Sequence, residues 1–153
     1  WRPVWGERLG GYQRLRDDIQ DQRLGFAHLD AAQLVKHALG LRTAAQRRAS
    51  NCSAVLVYLY AEPEAWPDGR PIALSAIERH RAEIDFFAAR VRHDEVIFLP
   101  VSYRELLEAW RANPSAEVRR HAEALVEHFA STMTNVGGHA YHPLWRTDED
   151  ATR

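Results

Sequence analysis

An α/β fold, with a small, mostly parallel or mixed sheet flanked by helices, is predicted from three observations. Ala54 to Tyr60 and Val96 to Val101 are apolar runs rich in β-branched and aromatic residues, as strands require. Segments of helical periodicity lie before, between and after them. The resulting order, two helices, a strand, a helix, a strand and two helices, calls for crossover connections and therefore parallel or mixed pairing. Two strands are few for so many helices, because an isolated strand pair is marginal, so the core reads as incomplete.

The elements follow in order. Tyr12, Leu15 and Ile19 give the first twenty-five residues a weak helical period, which the pair Gly10 and Gly11 interrupts. A second helix is expected over Ala31 to Leu39. Asp30 caps its free amides, Gln33 is placed to reach back, and Gly40 supplies a left-handed stop. Its apolar side is Ala31, Leu34, Val35, Ala38 and Leu39, with Gln33, Lys36 and His37 on the other side. The continuous run Ala54 to Tyr60 reads as a central strand buried on both faces. Ala61 to Pro71, rich in proline, is a loop.

Ser75 and Glu78 form a capping-box pattern ahead of a long helix with Ile77, Ile84, Phe87, Ala88 and Val91 inward. Ser102 and Glu105 repeat that pattern after the second strand, before Tyr103, Leu106, Leu107 and Trp110 at helical spacing. Asn113-Pro114 ends that element, and Ser115 opens a last helix through Val118, Ala122, Leu125 and Phe129.

The 153 residues are 46% hydrophobic, enough for one core, and a single domain is drawn over residues 1–130 with an irregular tail over 131–153. Twenty basic against 21 acidic residues give a net charge of −1, which excludes a field that holds polyanions over the whole surface. Contact with nucleic acid is confined to a local patch. Cys52 is the only cysteine, so an intrachain disulfide or thiolate zinc site is excluded and a cytoplasmic setting is favoured. No apolar run approaches the roughly 20 residues of a bilayer span, and WRPVWGERLG lacks a signal-peptide core, so no membrane partner is expected. The opening Trp1 fits a processed chain, a trimmed tag or a piece of a longer protein.

Lys36 is the only lysine among 20 basic residues, and it lies three positions after Gln33 on one helix face. An ammonium there can neutralise a phosphate or a leaving oxygen, and the amide can orient a water. The same spacing is equally explained by Gln33 as capping partner and Lys36 as a solvated side chain.

The segments LDAAQLVKHALGLR and AVLVYLYAEP, then a long helix and EVIFLPVSYRELLEAW, resemble the C-terminal half of bacterial PD-(D/E)xK proteins, the restriction-endonuclease-like superfamily. The resemblance covers about Phe26 to Trp110. It implies metal-dependent cleavage of DNA phosphodiesters, with Mg²⁺ as cofactor of the intact protein and Gln33 and Lys36 facing the cleft. This chain departs from the pattern at the E-x-K element, because Leu34 stands two residues before its only lysine. The resemblance therefore places the catalytic carboxylates upstream of Trp1, or implies their loss, and leaves this chain alone inactive.

Arg42, Arg47 and Arg48 form the best basic patch, since no acidic residue intervenes between Lys36 and Arg48. Elsewhere Glu78, Glu83, Asp85 and Glu117 interleave with the arginines, as on ordinary solvated faces. Among eight histidines, His121 with His128 and His139 with His142 are the pairs from which a zinc hydrolase site would be built, yet no H-E-x-x-H is present. P-loop, dinucleotide and nucleophile-elbow motifs are also missing. The reading is a DNA nuclease portion with Gln33 and Lys36 lining the cleft as its catalytic pair and Arg42, Arg47 and Arg48 contacting DNA. The alternative is a non-catalytic interaction or dimerisation module that docks a partner, or a second copy as a homodimer, on an open sheet edge.

Overall fold

The computed structural model describes residues 7–47, 53–66 and 68–134, with side chains through 128. It is an α/β fold with a parallel two-stranded sheet flanked by helices among the described residues. The chain divides into two compact units, Trp1–Tyr60 with Leu74–Val101, and Ala61–Ala73 with Ser102–Arg153.

The first unit holds a 3-10 turn (Glu7–Leu9), α1 (Gly10–Gln20), α2 (Ala31–Arg47), β1 (Ala54–Tyr60), α3 (Leu74–Val91) and most of β2 (Val96–Ser102). Its core joins Leu9, Tyr12 and Leu15 to Ala31, Leu34, Val35, Ala38 and Leu39, and these to Leu56, Ile84, Phe87, Val91 and Val96. The apolar sides expected for α2 and, in its last turns, α3 are the ones buried.

The glycine pair at the start of α1 has a packing reason. A Cβ on Gly11 would lie 2.2 Å from the Arg90 carbonyl oxygen and 3.0 Å from the Val91 Cα, so only glycine lets α1 approach the end of α3 this closely. The Asp94 carboxylate then accepts hydrogen bonds from the Gly11 and Tyr12 amides at 3.0 and 2.8 Å. A carboxylate at this end of a helix satisfies free donors and faces the positive end of the helix dipole. Tyr12, fully buried, donates from its hydroxyl to the Val96 carbonyl oxygen at 3.2 Å, tying α1 to β2.

At α2, Asp30 accepts from the Gln33 amide at 3.0 Å, the cap expected there. The stop at Gly40 does not occur, and the helix continues to Arg47. Gly40 does not take a positive φ. Beyond it, Thr43 donates to the Leu39 carbonyl oxygen at 2.8 Å and Arg42 pairs with Glu95 at 2.5 Å, which hold the extra turns. The loop leading into α2 is fixed by Glu83 of α3, whose carboxylate accepts from the Ala27, His28 and Leu29 amides at 2.7 to 2.8 Å.

β1 departs from the sequence reading in one respect. It is not buried on both faces but alternates along its length. Leu56, Tyr58 and Tyr60 turn toward the helices, with Val96 and Phe98 of β2, while Val55, Val57 and Leu59 face away with Ile97 and Leu99 and are exposed. A continuous apolar run describes a strand covered twice; here the helices of this unit cover one face.

In the second unit, α4 (Tyr103–Arg111) packs on α5 (Ala116–Thr134), with Trp110 against His121 at a ring distance of 5.6 Å. The Ser102 and Glu105 box forms in both directions: the Ser102 hydroxyl accepts from the Glu105 amide at 3.1 Å, and Glu105 accepts from the Ser102 amide at 2.8 Å. The Ser75 pattern does not act as a cap, because α3 already begins at Leu74. Residues 61–73 are more ordered than a plain loop, with an antiparallel bridge between Ala65 and Pro71 and a turn at Gly69, whose φ is +83°. Among the described residues no helix is long and apolar enough to cross a membrane. The tail from residue 135 lies outside the described residues.

Candidate functional site: the groove between the first two long helices

A groove of about 860 Å³ lies between α1 and α2. Arg16, Asp17 and Gln20 come from α1, and Ala32, Val35, Lys36, Leu39, Gly40, Thr43, Ala44 and Arg47 from α2. The α2 positions recur at intervals of three and four, so one helix stripe forms the wall. Its floor is aliphatic and small, while the charged side chains stand at the rim. A Cβ on Gly40 would meet nothing within 4 Å, so the glycine leaves the floor open rather than admitting a neighbour.

Lys36 and Arg47 are both exposed and line this same groove. Eleven positions at about 1.5 Å per residue separate them by about 16 Å along the axis, and about three turns return them to one side of α2. Among the described residues neither has an ion-pair partner. Arg16 differs, since it bonds Asp17 at 2.7 Å.

The other expected site residues do not join them. Gln33 is exposed and lies outside the groove lining, and its backbone N–H donates to Asp30. Arg42 is only 9% exposed and turns inward to Glu95, so burial removes it from the basic patch. That contact is a close ion pair whose Nε and Oε2 atoms lack hydrogen-bond alignment. Arg48 lies outside the described residues. Arg16 and Gln20, which the sequence reading passed over, complete the groove from α1. Helical periodicity could have put them on one face, but only the packing of α1 on α2 brings that face opposite Lys36.

A second polar feature sits on the inner face of the sheet. The Tyr58 hydroxyl and His80 Nε2 are 3.0 Å apart, and Tyr60 stacks on Tyr58 at a ring distance of 5.7 Å. Phe98 stacks on the same tyrosine and meets Phe87 at 4.8 Å. Burial pushes the Tyr58 phenol above its ordinary value, and Tyr60, Asp30 and Glu83 add to the rise through their negative charge. A neutral phenol in an aromatic cluster packs the sheet against α3.

Among the described residues no three His, Cys, Asp or Glu side chains converge to hold a metal ion. The Mg²⁺ implied by the resemblance needs several oxygen ligands, so these residues do not fit it. A zinc set is likewise missing among them; His139 and His142 lie outside the described residues.

No family model matches the chain, and no curated protein or solved structure matches it at a significant level.

Proposed function

We propose that this chain supplies the DNA-facing helix of a PD-(D/E)xK-like nuclease, with α2 presenting Lys36 and Arg47 to backbone phosphates. One observation carries the reading: two cations without an ion-pair partner among the described residues share one rim, held at a fixed spacing by a continuous helix. The metal-binding carboxylates of such an enzyme belong to chain other than the described residues, so no hydrolytic step is assigned to them.

The chemistry is electrostatic. Each phosphate neutralised by a lysine or arginine releases condensed counterions, and this term supplies nearly all sequence-independent affinity. With a net charge of −1 there is no general attraction to supplement it, so binding depends on the local pair.

The test is a fluorescence-anisotropy titration of duplex DNA at low salt. Lys36→Ala and Arg47→Ala are each expected to weaken binding several-fold across unrelated sequences. Binding that is indifferent to both substitutions contradicts the proposal.

A further inference from the structure

Phosphate contacts engage only the rim of the groove between α1 and α2. Between Lys36 and Arg47 its lining is Leu39, Gly40, Thr43 and Ala44, a neutral surface with open space over Gly40. Gln20 and Thr43 add polar groups, and Asp17, the one carboxylate of the lining among the described residues, is bonded to Arg16 at 2.7 Å. A cavity of about 860 Å³ with a mostly apolar lining and a few polar groups has the size and character of a small-molecule site. Its two ends are chemically unlike. Lys36 is the only amine side chain in the sequence, hence the only one that an acyl group converts to a stable amide, whereas Arg47 offers a planar guanidinium suited to phosphate.

We propose that the groove holds an acyl thioester carried on a phosphorylated pantetheine arm, as in coenzyme A, and that Lys36 accepts the acyl group. The fit is one of length and of charge. About thirteen bonds run from the thioester sulfur to the first phosphorus of such an arm, which at about 1.2 Å per bond of extended chain gives about 16 Å. Lys36 and Arg47 are separated by about 16 Å along α2. With the thioester at Lys36, the phosphates reach Arg47, the methylene and methyl groups of the arm lie over Leu39, Gly40 and Ala44, and its amides come within reach of Gln20 and Thr43.

In the transfer the Lys36 ammonium gives one proton to water, the Nζ lone pair forms the C–N bond, and the C–S bond breaks. The sulfur keeps the electron pair of that bond and takes the second proton, so the products are an amide and a free thiol. The acylated side chain carries no charge, and the rim is left with Arg47 alone of its two outward cations. This assignment goes beyond the nucleic-acid contact and does not rest on it.

The test compares, without DNA and at equal concentration, acetyl-coenzyme A with the S-acetyl derivative of N-acetylcysteamine, a short thioester that lacks phosphates. Acetylation of Lys36 is read by peptide mass spectrometry, separately from the α-amine. The coenzyme thioester is expected to acetylate Lys36 about tenfold faster than the short one, the gain of one charge-assisted contact. Arg47→Ala, and Gly40→Leu, which fills the open floor, are each expected to bring that rate down to the rate of the short thioester, with the circular-dichroism spectrum unchanged. Equal rates for the two thioesters in the wild-type chain overturn the inference. So does a preference that survives Arg47→Ala, an exposed position whose truncation leaves the core intact. Because the assay contains no DNA, its failure leaves the duplex titration standing, and failure of that titration leaves this assay standing.

Discussion

The pair α1 and α2 carries glycine and basic side chains on both of its sides, and the two sides use them in opposite ways. Inward, Gly11 permits a close approach to α3, Asp94 caps α1, and Arg42 is taken out of water by Glu95. Outward, Gly40 leaves a space unfilled, and Lys36 and Arg47 stand at the rim of a groove. The difference teaches that residue type does not assign a duty here; contact does. Substitutions on the inward side are expected to change stability, and those on the outward side to change binding.

The largest expected effect comes from Gly11→Ala. Its Cβ would meet backbone atoms of Arg90 and Val91, which cannot yield without displacing α3, so a loss of about 3 kcal/mol or more in urea unfolding is expected. Arg42→Ala follows, because it strands Glu95 without its partner. Glu95 retains access to water at 34% side-chain exposure, so the cost is about 2 to 3 kcal/mol, below that of a fully buried pair. If Arg42→Ala instead weakened DNA binding and left stability untouched, the contrast between the two sides would fail.

Tyr12 sharpens the inward side through pH. Burial raises its phenol pKa well above the ordinary value, with the nearby Asp94 charge adding to the rise. The folded state therefore holds this proton more tightly than the unfolded chain. Stability from Tyr12 is present below about pH 10, the unfolded value, and is lost as pH rises beyond it toward the folded value. Tyr12→Phe is expected to cost about 1 kcal/mol at neutral pH through the lost bond to Val96, and to flatten the alkaline decline measured by urea midpoints. The decline does not vanish, because Tyr58 is shifted in the same direction.

Gly40→Ala matches Tyr12→Phe in size and has the opposite sign. Open space around the new methyl and the better helix propensity of alanine predict a gain of about 1 kcal/mol. A loss there would mean that Gly40 serves the fold, and the groove would need another explanation.

Much of this architecture was legible in the chain. The strand bounds at Ala54 and Tyr60, the buried stripe of α2, the Asp30 cap and the Ser102 box follow from local periodicity and capping chemistry. What escaped depended on contacts between distant segments. Glu83 looks like one more surface acid until three amides of the loop at 27–29 converge on it, and Asp94 reaches α1 from 82 positions away. Gly40 resembles a helix stop because nothing local reveals that Arg42, two residues later, will be anchored to Glu95. The groove was half legible: α2 offered Lys36 and Arg47, but which arginine faces in and which faces out is decided by tertiary packing.

The central claim is that Lys36 and Arg47 meet phosphates together, and salt dependence measures this most directly. Two phosphate contacts on duplex DNA predict a slope of log affinity against log salt of about −2, falling by about 1 for Lys36→Ala and again for Arg47→Ala. A wild-type slope near zero, or one unchanged in the double variant, contradicts the account.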